Sequence, residues 1–178
     1  MPVGEETSSY YETLRRSYRP NDLRILFIGE SRPAGGTFFF AADSNLFFFT
    51  QAAFRSVYGE SLEPGVHFLD FFRFAGCYVE DLCLEPVNNL ASTLRRAAHR
   101  AGIDHLANRL QRRHPNTIIV VGRSRSLCSS VGIALTQAGL QDVPRFELPF
   151  PAMSHQRRYV SELSALIADL RSKGLLPR

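Results

Sequence analysis

Apolar residues along the chain fall into two kinds of pattern. Four short runs are rich in apolar residues: "LRILFIG" (23–29), "YVEDLCLEP" (78–86), "NTIIVVG" (116–122) and "VPRFELPFP" (143–151). Runs of this length that end in Gly or Pro predict buried strands. Between them the apolar positions recur at helical spacing. Residues 8–18 predict a short helix. Ser44 can cap a helix that runs through "NLFFFTQAAFRSVYG" and stops at Gly59, with Phe47, Phe54 and Tyr58 on a core face. Residues 66–74 are aromatic-rich and read as irregular. Residues 90–113 read as a helix broken or bent at Gly102. Ser124 or Ser126 starts the next helix, which runs through Gln137. In "SHQRRYVSELSALIADLRSKG" the residues Val160, Leu163, Leu166, Ile167 and Leu170 share one face, and Gly174 is the stop.

Strands alternating with helices predict an α/β fold, a three-layer αβα sandwich around a mainly parallel four-stranded sheet. No repeat or linker divides the chain, so residues 1–178 read as one domain. In open α/β folds a ligand sits beyond the carboxyl ends of the strands. Here those ends are "GESRP", "EDLCLEP", "GRSRS" and "LPFPAMSHQRR", all polar and turn-like.

Composition narrows the class. The chain has 178 residues, 44% hydrophobic and 21% charged, which suits one sizeable core. No apolar run approaches the ~20 residues of a membrane span. The start, Met1-Pro-Val-Gly-Glu-Glu, is acidic and unlike a signal peptide, so a cytosolic protein is expected. Cys77, Cys83 and Cys128 show no C-x-x-C spacing, and no zinc or iron–sulfur site is expected. Net charge is +4, and of 21 basic residues only Lys173 is lysine. Arginine is the better bidentate phosphate ligand. The arginines cluster: Arg95, Arg96, Arg100, Arg109, Arg112 and Arg113 on one helical stretch, Arg123 and Arg125 after a strand, Arg157 and Arg158 after a Pro-rich turn.

The segment "IGESRPAGGTFFFAADSNLFFFTQ" (28–51) joins a glycine turn to two runs of three phenylalanines. Consecutive side chains of a strand or helix point in different directions, so three adjacent rings are not expected to share one core. Some of them are expected to serve a site.

At these strand ends the sequence resembles the uracil-DNA glycosylase superfamily, over roughly residues 23–173. The family's first motif reads GQDPYH, GEAPG or GINPG in different branches; here it is "GESRP" (Gly29, Glu30, Ser31, Arg32, Pro33). Glu30 agrees with the GEAPG branch. Ser31 stands where Asp or Asn positions the attacking water, and an extra residue precedes the proline. The mismatch-specific branch carries F-A-x-x-x-N-x-F, and this chain reads "FAADSNLF" from Phe40 to Phe47, which includes Asn45. The resemblance implies that Phe40 stacks on the flipped base and that Phe47 is core. Asp81, or else Glu80, stands where several branches read the uracil edge with Asn. The "GRSRS" turn, with Arg123 and Ser124, is similar to the family turn that contacts DNA phosphate. The last motif, HPSPLS or NPSGLS, is here "FPAMSH". Phe150 replaces its His or Asn, and Met153 or Ser154 falls where the family inserts a side chain into the DNA stack.

The resemblance implies a monofunctional DNA glycosylase that extrudes uracil, hydrolyses its N-glycosidic bond with water and needs no cofactor or metal. Extrusion costs a few kcal/mol, which stacking, edge hydrogen bonds and a wedge side chain offset. Bond cleavage places positive charge on the sugar and negative charge on the leaving base. Glu30 and Asp43 are the carboxylates available to the first charge. Backbone N–H groups of the glycine turn, or His155, are donors for the second. Arg32 and Arg157 join Arg123 and Ser124 as phosphate contacts. DNA is the expected partner, and a monomer is the default. Each residue also has a plainer reading: Glu30 as a turn acid, Asp43 as a helix cap, Phe40 as core, Asp81 as an acid paired to arginine, and His155 as a surface histidine. An ionised Asp81 offers only acceptors, whereas uracil presents both an acceptor and a donor. A glycosylase for another deaminated base, such as hypoxanthine or xanthine, is one alternative. A catalytically silent DNA- or abasic-site-binding module is the other.

Overall fold

The computed structural model describes residues 3–178, with side chains from Tyr10 onward. Met1 and Pro2, where the acidic start begins, lie outside the described residues. Helix α1 (Val3–Ser17) leads into strand β1 (Ile25–Gly29). A 3-10 turn (Phe39–Ala41), α2 (Asn45–Tyr58) and α3 (Val66–Phe74) precede β2 (Cys77–Asp81). Then follow α4 (Ser92–Leu110), β3 (Thr117–Val121), α5 (Arg125–Gln137), β4 (Arg145–Leu148) and α6 (Gln156–Ser172).

All strand pairs are parallel, in the order β2-β1-β3-β4. Every residue of β1, β2 and β3 is buried, as a sheet covered on both faces requires. The chain steps from β1 to β2 in one direction and from β2 to β3 in the other. Right-handed crossovers therefore send α2 and α3 to one face and α4 and α5 to the other. The packing agrees, since α4 lies on α5 and α2 on α6. The three-layer sandwich expected from the sequence is the observed architecture. The reversal leaves a switch point between β1 and β3, the place where open α/β sheets form ligand crevices. Among the described residues no helix is long and apolar enough to cross a membrane.

Local details differ from the sequence reading. The strands are shorter than the apolar runs; the second run, for instance, continues past β2 into a loop where Leu82 and Cys83 are buried. Residues 66–74 form the helix α3, not an irregular stretch. Its Phe68, Leu69 and Phe72 are buried, a spacing that the neighbouring rings obscure in sequence. Gly102 does not break α4. A Cβ there would lie 2.7 Å from the Leu82 carbonyl oxygen, so glycine lets the helix approach the β2 loop closely.

The phenylalanines are also placed differently. Phe38, Phe39 and Phe40 are all buried. Phe38 is extended (φ −148°, ψ 142°) and the 3-10 turn starts at Phe39, so the three rings diverge into three parts of one core. Phe38 meets Tyr11 of α1 at 5.0 Å, Phe39 meets Phe72 at 5.2 Å, and Phe40 meets Tyr78 at 5.2 Å between ring centroids. In the second run Phe47 is core, Phe49 half-buried and Phe48 exposed.

Candidate functional site

The register aligns the four strand ends. Gly29 pairs with Asp81 and Val121 with Leu148, so the loops that follow leave the sheet on one edge. Beyond them lies a cleft of about 700 Å³, within the ~300–1,000 Å³ span of small-molecule sites. Gly29, Glu30, Ser31 and Arg32 enter it from the turn after β1, and Asp81 from the end of β2. Gly122, Arg123 and Ser124 enter after β3, and Phe150, Met153, His155 and Arg158 after β4. Asp43 and Asn45 come from the start of α2, and Phe38 and Phe39 from the loop before it. Of the residues singled out in the sequence, Phe40, Ser154 and Arg157 do not line this cleft.

Phe40 is the main correction. Its ring is 1% exposed, lies parallel to Tyr18 at 5.9 Å and rests on Tyr78. It cannot receive a base without unpacking the core. The 3-10 turn rotates it inward and leaves Phe38 and Phe39 next to the cleft. The most accessible ring there is Phe150, which is 40% exposed.

Glu30 is held by two side chains, Arg95 and His99. Arg95 of α4 forms a two-pronged ion pair with it, Nε at 2.6 Å from Oε1 and Nη2 on Oε2. Its hydrogen bond to Glu30, and then the charge of Glu30, raise the Arg95 pKa against the opposing effect of burial. His99 Nε2 lies 2.6 Å from Glu30 Oε1, and its Nδ1 lies 2.8 Å from the Ser126 hydroxyl. The chain Arg95–Glu30–His99–Ser126 links β1 to α4 and α5. Its partners were not legible in sequence, because His99 and Arg95 lie about 65–70 residues from Glu30 and no local pattern marks them.

Asp81 Oδ2 accepts a hydrogen bond from Arg15 Nη2 at 2.6 Å, and both residues are buried. Burial lowers the Arg15 pKa, but the charge of Asp81, then that of Glu80, outweighs it and the net shift is upward. The Arg15 guanidinium also lies 4.9 Å from the centre of the Phe38 ring. Asp81 Oδ1 sits 2.7 Å from where a Cβ of residue 29 would be, so glycine at position 29 makes room for this carboxylate. Glu80 faces the other side of β2, where Arg109 and Arg113 reach it at 3.2 and 2.9 Å. Asp81, not Glu80, is therefore the β2 acid of the cleft.

Asp43 is exposed and makes one hydrogen bond among the described residues, accepting from the Phe38 backbone N–H at 2.6 Å through Oδ1. It is not the cap of α2. Ser44 is, accepting from the Phe47 N–H at 3.2 Å. Ser124 caps α5 in the same way, through the Leu127 N–H at 3.2 Å. Ser31 pins the first turn, donating to the Arg32 carbonyl and accepting from the Val87 N–H at 3.2 Å. Arg32 lies over the Tyr11 ring at 4.6 Å. Arg123 and Arg158 share Glu162 at 2.6 and 2.7 Å. Met153 is 91% exposed at φ 56°, a backbone region that costs a non-glycine residue energy. It projects an apolar side chain beside the cleft.

These residues can do three kinds of chemistry. Asp43 can orient a water molecule through its second oxygen. Glu30 and Asp81 add negative charge that favours a developing cation. The N-termini of α2 and α5 present backbone N–H groups to anions. Among the described residues, no group of three or more His, Cys, Asp or Glu side chains could hold a metal ion. Compared with known proteins, the chain matches no family model and no curated protein.

Proposed function

We propose that the protein is a DNA glycosylase that hydrolyses the N-glycosidic bond of an extruded, deaminated base, with uracil as the first candidate. One observation carries this reading. The cleft at the switch point gathers Glu30, Asp43 and Asp81, the Phe150 ring and the rim arginines Arg123 and Arg158 around a space that suits a nucleotide.

In this reading Asp43 is the water-holding carboxylate, because Glu30 is fully engaged by Arg95 and His99. Glu30 contributes fixed negative charge near the sugar, which favours an oxocarbenium-like transition state. Phe150 stacks on the extruded base. Asp81 Oδ1 accepts from a ring N–H of that base, and His155 donates to an oxygen of the departing one. Met153 enters the stack that the nucleotide leaves. The rim arginines leave Glu162 for phosphate. A second reading, recognition without chemistry, is favoured by the tight engagement of Glu30.

The test is alkali cleavage of labelled oligonucleotides that carry one uracil, hypoxanthine or xanthine. The wild type cleaves at least one of them. Asp43→Asn lowers the rate by about 10²–10⁴-fold, the usual contribution of a positioned acid or base. Glu30→Gln lowers it less, and Phe150→Ala weakens substrate binding. Failure of the wild type on every lesion, with retained affinity for an abasic site, replaces the enzyme reading with the recognition module.

A further inference from the structure

The opposite end of the sheet carries a second concavity, of about 530 Å³, that shares no lining residue with the cleft. Three separate segments build it: residues 19–23 between α1 and β1, Tyr78 of β2, and residues 108–114 at the end of α4. Four guanidinium groups line it, those of Arg19, Arg109, Arg112 and Arg113, beside His114 and the amides of Asn21 and Asn108.

The nearby acids do not balance this charge. Asp22 is paired with Arg24 at 2.9 Å, and Glu80 is shared by Arg109 and Arg113. Arg19 and Arg112 are exposed and have no ion pair among the described residues. Arg113 is held in the wall of the pocket, its buried Nη1 2.9 Å from Glu80, so the groups left open to a ligand are those of Arg19 and Arg112. Basic residues at a helix C-terminus do favour the helix dipole. That accounts for Arg109 or Arg113 but not for Arg19, which comes from another segment.

We propose that this pocket is an anion site for a phosphate group, carried either by a nucleic-acid backbone or by a small phosphate compound. Planar guanidiniums from two sides suit the oxygens of such a group. The floor of Tyr78, with the Arg113 guanidinium 5.1 Å from its ring centre, holds the cationic wall in place.

Pyrophosphate is the first probe, added to the ¹⁵N-labelled full-length chain while amide signals are followed by NMR. The expected result is saturable shifts at Asn21, Asn108, Arg112 and His114. The Arg19→Gln/Arg112→Gln double variant loses them and keeps its remaining spectrum and unfolding temperature. Both side chains are exposed, and Arg19 reaches the Tyr78 ring at 6.0 Å, so an unchanged unfolding temperature is the control that separates lost binding from lost packing. Undamaged duplex DNA is the second probe, with affinity measured across a salt series. If the phosphate belongs to DNA, the double variant lowers the slope of log K against log salt by about 1.8, as loss of two phosphate contacts requires. If it belongs to a small compound, pyrophosphate binding is lost and the slope is unchanged. Absence of saturable shifts in the wild type, or shifts that persist in the double variant, overturns the proposal. Neither measurement depends on base excision.

Discussion

Replacing Arg15 with leucine removes the ion pair that ties α1 to the end of β2. The two residues are 5% and 6% exposed, and the contact is 2.6 Å. Losing one partner of a buried pair costs about 3–5 kcal/mol, because the other charge is left in a poorly solvated place. For a chain of this size each kcal/mol shifts the melting temperature by ~2–4 °C, so the expected fall is about 6–20 °C. Asp81→Asn is milder, at about 1.5–3 kcal/mol, since the amide oxygen still accepts from Arg15. The Arg15→Leu/Asp81→Asn double variant then costs at least about 1.5 kcal/mol less than the sum of the two singles. The assay is urea unfolding of the four proteins, followed by circular dichroism. The sign with pH is also determined. The Arg15 pKa is raised in the folded state, so its contribution is fully present below the ordinary arginine value and is lost only above it. The coupling should therefore not change through titration of Arg15 near neutral pH. Additivity within about 0.5 kcal/mol would refute the claim that this pair ties α1 to the end of β2.

Two further predictions concern packing and thiol chemistry. Gly102→Ala gains about 1 kcal/mol of helix propensity, but its Cβ would meet the Leu82 carbonyl at 2.7 Å. Overpacking of about 1–3 kcal/mol outweighs that gain, so calorimetry should find a lower melting temperature, and a stabilised variant would contradict the close approach. Burial pushes the Cys83 and Cys128 thiols up to about 11, with Glu30 adding to the first and Glu147 to the second. Relative to the usual 9.0, the thiolate fraction near pH 8 falls by about 100-fold, and iodoacetamide should label native Cys128 correspondingly slower than the unfolded chain. Because these pKa values are raised, the unfolded chain loses its thiol protons first, and stability falls as pH climbs past 9.0. Equal labelling rates in native and urea-unfolded protein would rule this out.

Much of the architecture was legible in local pattern. Four apolar runs ending in Gly or Pro and helices of 3.6 periodicity between them imply a parallel sheet covered on both faces, while the strand order β2-β1-β3-β4 came only from the structure. The edge that carries the cleft was also legible, because ligand crevices lie at the carboxyl ends of parallel strands. Ser44 and Ser124 act as the caps that their residue type and position suggested.

What local pattern did not contain were relations across the chain. Phe38, Phe39 and Phe40 are chemically identical, and only the 3-10 turn decides which rings border the cleft and which is core. Glu30 and Asp81 are both carboxylates at strand ends. Their partners, Arg95 and His99 for one and Arg15 for the other, lie 65–69 and 66 residues away. In sequence the arginines from Arg95 to Arg113 read as one cluster on a single helical stretch. In three dimensions Arg95 turns toward the cleft, while Arg109 and Arg113 hold Glu80 beside a second pocket. Periodicity decides which face of an element is buried, because that depends on neighbours a few residues away. Which side chain meets which charge depends on how strands and helices stack, and only the tertiary structure decides that.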